Sequence, residues 1–258
     1  MRFVKMQALG NDFILFGSPS ATSLPSTDLI KRLCDRHYGI GADCAVFIQK
    51  SKNADYFMHV YNPNGFEAEM CGNALRCSAE YVKQCGYFSK QTITVQTKSG
   101  TRSVKFENGL ITTEIGRPRI LKKGDLHLSG ISLPYTFVDI GNPHCVIFVP
   151  ALTNEEFACL SPLIEHYTAF QNGTNVEFAI PISEDTLSMR VWERGIGETL
   201  SCTTGSCACA AVAFDEGICG KNVNIHQAGG VIKVNIRECG NHFVTADCET
   251  VFKGSYLT

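Results

Sequence analysis

Two cysteines hold matching places in this 258-residue chain. Cys71 lies in Glu69-Met70-Cys71-Gly72-Asn73, and Cys202 lies in Leu200-Ser201-Cys202-Thr203-Thr204. A Gly-Asn pair precedes each, Gly10-Asn11 and Gly141-Asn142, and the two Asn-to-Cys spacings are equal (71 − 11 = 202 − 142). A thiol ionises at about 8.5, close enough to neutrality to carry protons in general acid–base catalysis. Two thiols on opposite faces of one carbon can take a proton from one side and return one from the other, which inverts a stereocentre without a cofactor.

The equal spacing implies a duplicated unit, with a constant offset that carries Asn11 to Asn142 and Cys71 to Cys202 (142 − 11 = 202 − 71). Phe13-Ile14-Leu15-Phe16 then faces His144-Cys145-Val146-Ile147, and Tyr61-Asn62 faces Trp192-Glu193. Side chains agree poorly outside these points, so the repeat is one of spacing rather than similarity. Most segments alternate like short strands. Residues 92–97 and 101–106 flank Lys98-Ser99-Gly100 as a hairpin, Asn108-Gly109 carries a turn signal before 110–115, and 187–192 and 230–236 repeat the style. Helices are expected over 28–36, 73–83 and 205–216; the last is apolar all round at its start and therefore buried on every side. The expected fold is α/β of the α+β type. It has two pseudo-symmetric domains, each a mainly antiparallel, barrel-like sheet around a central buried helix with its cysteine at the helix start. A basic stretch with Pro and Gly at 117–124 reads as the linker. This divides the chain into 1–118, carrying Cys71 and joined by the last residues from about 250 to 258, and 119–249, carrying Cys202.

A helix start exposes unpaired N–H groups and partial positive charge, which lower a thiol's pKa and bind a carboxylate. Cys77, Cys207 and Cys209 fall inside the expected helices and read as packing residues. Thirteen cysteines is an odd number, and no Cys-x-x-Cys occurs. The reading is free thiols in a reducing cytoplasm and no metal site. The net charge of −2 and the lack of like-charge runs give no nucleic-acid footprint, and no apolar run suggests a signal peptide or a membrane span.

Gly10-Asn11-Asp12-Phe13, Tyr61-Asn62-Pro63-Asn64-Gly65, Glu69-Met70-Cys71-Gly72-Asn73, Gly141-Asn142-Pro143-His144-Cys145 and Glu193-Arg194-Gly195-Ile196-Gly197-Glu198-Thr199 together resemble the diaminopimelate epimerase family, in order and over nearly the whole length. The resemblance implies an isomerase that needs neither pyridoxal phosphate nor another cofactor. Its two bases would work between two domains and convert LL-diaminopimelate to the meso form for lysine and peptidoglycan synthesis, in a cytoplasmic homodimer. It implies Cys71 and Cys202 as the acid/base pair and the backbone N–H groups of Gly72-Asn73 and Thr203-Thr204 as the carboxylate cradle. Asn11, Cys44, Asn62, Asn142, Asn175, Glu193 and Arg194 would contact substrate, and His144 and Glu193 would assist the thiols, His144 beside Cys71. A guanidinium such as Arg194 suits a distal carboxylate, which it can grip with two parallel hydrogen bonds.

Three departures from the family pattern bear on substrate. Ala74-Leu75 replace Gly-Ala, Thr203-Thr204 follow Cys202 where Gly-Ser or Gly-Thr is common, and Cys44 stands where Gln or Gly is common. A side chain at 203 crowds backbone that must approach a carboxylate. A racemase for glutamate, histidine or proline is the near alternative, with Glu193-Arg194 favouring a polar distal group over proline. A thiol redox or metal-binding protein, or a non-catalytic binding module, is the alternative of another class.

Overall fold

The computed structural model describes residues 1–107, 109–128 and 130–257. The turn expected at Asn108 therefore lies outside the described residues. The chain forms two compact units, Met1–Glu114 with Thr245–Thr258, and Ile115–Val244.

The first unit contains β1 (Arg2–Ala8), β2 (Asn11–Gly17), α1 (Thr27–Cys34), β3 (Cys44–Gln49), β4 (Tyr56–Tyr61), β5 (Glu67–Ala68), α2 (Gly72–Gln84), β6 (Thr92–Thr97), β7 (Gly100–Glu107) and β8 (Leu110–Gly116), the last ending across the boundary. The second contains β9 (Arg119–Leu128), β10 (Ile131–Asp139), β11 (Pro143–Phe148), α3 (Asn154–Glu165), β12 (Asn175–Ser183), β13 (Thr186–Glu193), β14 (Gly197–Thr199), α4 (Thr203–Asp215), β15 (Asn222–Gln227), β16 (Gly230–Ile236) and β17 (His242–Ala246), which likewise crosses its boundary. The final strand, β18 (Glu249–Ser255), pairs antiparallel with β1 in the first unit.

Strand order shows the duplication more clearly than side chains do. The first unit runs β18-β1-β2-β3-β4-β6-β7-β8, with β5 beside β4. The second runs β9-β10-β11-β12-β13-β15-β16, with β14 beside β13. Each is antiparallel except at two places, β2–β3 and β4–β6 in one and β11–β12 and β13–β15 in the other. Parallel neighbours need a crossover, and each of these four crossovers carries a helix. Phe13 pairs with Cys44 and His144 with Asn175, so both partners shift by the same offset (144 − 13 = 175 − 44). Among the described residues neither strand order returns on itself, so each sheet is open rather than a closed barrel.

The sheet wraps the second helix of its unit. The helix α2 packs on β1, β2, β3, β4 and β7, and α4 packs on β10, β11, β12, β15 and β16. Ala74, Leu75, Cys77, Ala79 and Val82 of α2 join the main core of the first unit. Helix α4 buries Ser206, Cys207, Ala208, Cys209, Ala210, Val212 and Ala213. Helix α1 lies outside the sheet, capped by the Ser26 hydroxyl on the Leu29 N–H, with Ile30 and Leu33 in a separate core.

Two local readings change. The stretch taken as a linker is the edge strand β9. Its mostly exposed residues hide the alternation that marks a half-buried strand, and its partners on β10 supply the order. Helix α3 was not expected, although Thr153 and Glu156 form a reciprocal capping box at its start. Pro162 inside the helix masked the signal.

Candidate active site

Each matched cysteine is the N-cap of its unit's buried helix, in extended backbone: Cys71 at φ −140° and Cys202 at φ −129°. The matched asparagines, Asn11 and Asn142, leave turns in which glycine takes up left-handed backbone, Gly10 at φ 82° and Gly141 at φ 97°. The repeat thus places one thiol and one carboxamide together in each unit.

In the first unit the Cys71 thiol meets Asn11 Oδ1 at 3.9 Å, and Asn73 Nδ2 reaches the same oxygen at 3.5 Å. Asn73 is buried and its own Oδ1 accepts from Arg76, which is fully buried. The Asn11 amide has a fixed orientation because Nδ2 donates to Asp43 Oδ2 at 2.9 Å. Asp43 is held in turn by Arg36 at 2.8 Å, and Arg36 makes two hydrogen bonds to Asp12 at 3.0 and 2.9 Å. Lys5 lies 2.7 Å from Asp12. Burial pushes the Asp12 carboxyl up, but hydrogen bonds from Arg36, Lys5 and the Asp43 N–H outweigh it and hold Asp12 well below the usual carboxylate range. Cys44 points its thiol at Asn62 Oδ1, 3.7 Å away in the turn just past the end of the neighbouring strand β4.

In the second unit the Cys202 sulfur accepts from the Gly205 N–H at 3.4 Å and lies 3.4 Å from Thr204 Oγ1. Asn142 Nδ2 donates to the same Thr204 hydroxyl at 3.5 Å. Gln227 clamps the turn: its Oε1 accepts from the Cys202 N–H at 2.8 Å, and its Nε2 donates to Ser206 Oγ at 3.0 Å. Thr203 is buried. Burial pushes the Cys202 thiol well above its ordinary value, and the negative charges of Glu193 and Glu177 add to this. The Thr204 and Gly205 hydrogen bonds act in the opposite sense and do not prevail. The expectation that the helix start lowers this pKa is therefore corrected: for a residue only 6% exposed, desolvation outweighs the helix terminus.

The remaining expected residues divide by contact. Asn175 donates from Nδ2 to the Pro143 carbonyl at 2.7 Å and accepts the Arg194 N–H at 3.0 Å, so its amide braces the Glu193-Arg194 turn. The Arg194 side chain is exposed, with one guanidinium N–H 3.4 Å from the Asn172 carbonyl. Glu193 accepts from Thr199 Oγ1 at 2.6 Å. His144 is fully buried, and its described contacts are Glu177 at 2.7 Å and Asn142 at 3.0 Å. Cys77, Cys207 and Cys209 are fully buried, and burial raises the Cys77 and Cys209 thiols well above the ordinary thiol value. Glu177, Gln227 and the Asp12–Arg36–Asp43 network were not foreseen. Glu177 had a visible signal, a lone charge in the apolar run Val176-Glu177-Phe178-Ala179.

Among the described residues, no three His, Cys, Asp or Glu side chains converge as metal ligands. All thirteen cysteines are free thiols. No described helix is long and apolar enough to cross a membrane.

The family model for diaminopimelate epimerase matches residues 3–121 and 136–252. The chain is 37% identical over 281 residues to a diaminopimelate epimerase of Desulfovibrio desulfuricans, covering 99% of this chain and 98% of that protein. It is 38% identical over 276 residues to one of Pelotomaculum thermopropionicum, covering 99% of each. Among solved structures, a phenazine biosynthesis protein of the PhzF family from Bacillus anthracis superposes with a TM-score of 0.74 at 16% identity, covering 100% of this chain and 99% of that one. A hydroxyproline epimerase from Agrobacterium vitis gives 0.76 at 12%, covering 98% and 91%. These structural likenesses establish the fold alone.

Proposed function

Because this chain belongs to the diaminopimelate epimerase family and is an isomerase, we propose that Cys71 and Cys202 are its two bases. In this reading the enzyme interconverts LL- and meso-diaminopimelate without pyridoxal phosphate. The observation that carries the assignment is the pair of N-cap thiols, set at equivalent positions of the repeat and each beside a carboxamide held by its own unit. One thiol, as thiolate, takes the α-proton; the other, as thiol, donates from the opposite face. In the reverse direction the roles exchange, so each must titrate.

The N–H groups that open α2 and α4, at Gly72-Asn73 and Thr203-Thr204, suit the α-carboxylate, because a helix start offers unpaired donors and partial positive charge. That charge also favours the carbanion character that develops as the α-proton leaves. Asn11 and Asn142, with Asn62 and Cys44, supply polar contacts around the amino acid. The exposed guanidinium of Arg194 serves the distal carboxylate, and the Glu193 carboxylate serves an ammonium group. Asn175 contributes by bracing the turn that carries both. The thirteen free thiols suit a reducing cytoplasm, and assembly as a homodimer rests on the family resemblance.

Thr203 beside Cys202 keeps other amino acids in the comparison. Incubated under reducing conditions with LL-diaminopimelate, L-glutamate, L-histidine or L-proline, the protein is expected to invert only the first at a rate above 1 s⁻¹, at the low end of the roughly 1–10³ s⁻¹ typical of enzymes. Chiral chromatography of the products reads this directly. Faster inversion of glutamate or histidine would transfer the same two-thiol chemistry to that substrate.

A further inference from the structure

The internal repeat supplies a control for each residue of the site. At the offset that carries Cys71 to Cys202, His144 and Glu177 of the second unit correspond to Phe13 and Val46 of the first. The strand registers agree: Phe13 pairs with Cys44 as His144 does with Asn175, and Leu15 pairs with Val46 as Val146 does with Glu177. All four side chains are fully buried. Phe13 and Val46 belong to an ordinary apolar core. The scaffold is thus satisfied by an apolar pair, and the second unit carries two ionisable groups there instead. Burying such groups is costly even when they are paired, and an apolar pair of similar size is often at least as stable. Stability of the sheet does not explain the substitution.

The contacts of Glu177 lead to the active thiol. Its Oε1 lies 2.7 Å from His144 Nδ1. His144 Nε2 lies 3.0 Å from Asn142 Oδ1, Asn142 Nδ2 donates to Thr204 Oγ1, and Thr204 Oγ1 touches the Cys202 sulfur. Glu177 Oε2 is buried without a hydrogen-bond partner. The carboxylate also presses on the first turn of α4, where a Cβ at Gly205 would come within 2.7 Å of Glu177 Oε1. The corresponding residue of the first unit is Ala74, opposite the shorter Val46. Glycine at 205 and glutamate at 177 thus fit each other, next to one thiol and not at the corresponding place beside the other.

We propose that Glu177 is a positioning residue for Cys202: through His144, Asn142 and Thr204 it fixes the hydroxyl against that sulfur. Its negative charge also opposes ionisation of that sulfur. In the unit of Cys71 the corresponding residues, Phe13 and Val46, are apolar and cannot build this chain. The two thiols therefore have different surroundings within their own units. The inference rests on the two-thiol reading for its catalytic meaning, but the coupling of Glu177 to Cys202 is measurable without catalysis.

The test is Glu177→Gln in the full chain, which keeps the shape and an acceptor and removes the charge. Reaction of each thiol with iodoacetamide is followed against pH by peptide mass spectrometry. The groups facing Cys202 are Glu177 on β12, Glu193 on β13, and Thr204, the Gly205 N–H and the Cys209 thiol on α4. Only the first changes in this variant. The expected result is that the Cys202 midpoint moves to lower pH by at least half a unit while that of Cys71 stays, with kcat down tenfold or more and KM within about twofold. The double variant His144→Phe with Glu177→Val, which copies the first unit, is expected to fold and to lose a hundredfold or more in kcat. Unchanged Cys202 midpoint and unchanged kcat in Glu177→Gln would overturn the proposal. A shifted midpoint in a protein whose parent inverts no amino acid would uphold the coupling and refute the two-thiol reading.

Discussion

Cys71→Ala and Cys202→Ala are each expected to lower kcat by about 10³- to 10⁴-fold, in both directions of the reaction, near the upper end of what one general acid or base contributes. Both directions suffer because, in the proposed mechanism, each thiol is the base in one and the acid in the other. A single remaining thiol leaves one face of the α-carbon without a proton carrier. Stability separates this from unfolding. Cys71 makes no side-chain capping bond, so alanine there removes no cap, whereas Cys202 accepts the Gly205 N–H and alanine there costs about 1 kcal/mol. The Cys71 variant gives up the thiol's 3.9 Å contact with Asn11 but no cap, so both variants should melt slightly below the parent protein while each loses turnover. Serine at either position keeps a hydroxyl of similar size but one that hardly ionises, and it should not restore the rate. Full activity in either alanine variant would remove that residue from the assignment.

The second large effect is on stability against pH. His242 is 3% exposed, and its ring contacts the Cys207 backbone within α4, while Nδ1 has no partner. Burial pushes the imidazole down from 6.5 to about 4, against the Cys207 hydrogen bond, which favours the charged form. Below pH 6.5 the unfolded chain takes up a proton that the folded chain refuses. Stability from this group is therefore complete above 6.5, falls as pH falls, and is lost once the folded ring protonates near 4. The full difference is about 3 kcal/mol. Urea unfolding of the parent protein and of His242→Gln at pH 7, 6, 5 and 4 isolates it. The parent should lose more stability than the variant across this window, and parallel losses would show that the ring is not the acid-sensitive group.

The turn and cap residues proposed for the site stood out in the sequence because their signals are local. Gly-Asn before a strand and Cys before a helix are short patterns, and the equal Asn-to-Cys spacing needs only counting. The three helices expected over 28–36, 73–83 and 205–216 appear at Thr27–Cys34, Gly72–Gln84 and Thr203–Asp215, shifted at their ends by one or two residues. The start of α4 moved because Thr203 and Thr204 read as loop by composition. In the fold they continue from the Cys202 cap, where Gln227, distant along the chain, fixes the backbone. Such a partner is invisible in a local window. The same holds for Asn11, whose orientation depends on Asp43 across the β2–β3 crossover, and for Glu177, whose meaning appears only beside Val46. The duplication was legible as an offset, yet its strongest expression is the shared strand order, which depends on hydrogen bonding between distant segments. Burial, which reverses the expected direction for the Cys202 thiol, is a property of the packed chain and not of its neighbours in sequence.

The claim that two thiols serve the two faces of one carbon is tested most directly by running the reaction in D2O and reading the α-position of product and remaining substrate at low conversion. Two bases predict that product carries solvent deuterium from the first turnover, while unconverted substrate stays protiated. Product that keeps the substrate's own proton would mean one base carrying it across both faces, and would contradict the account.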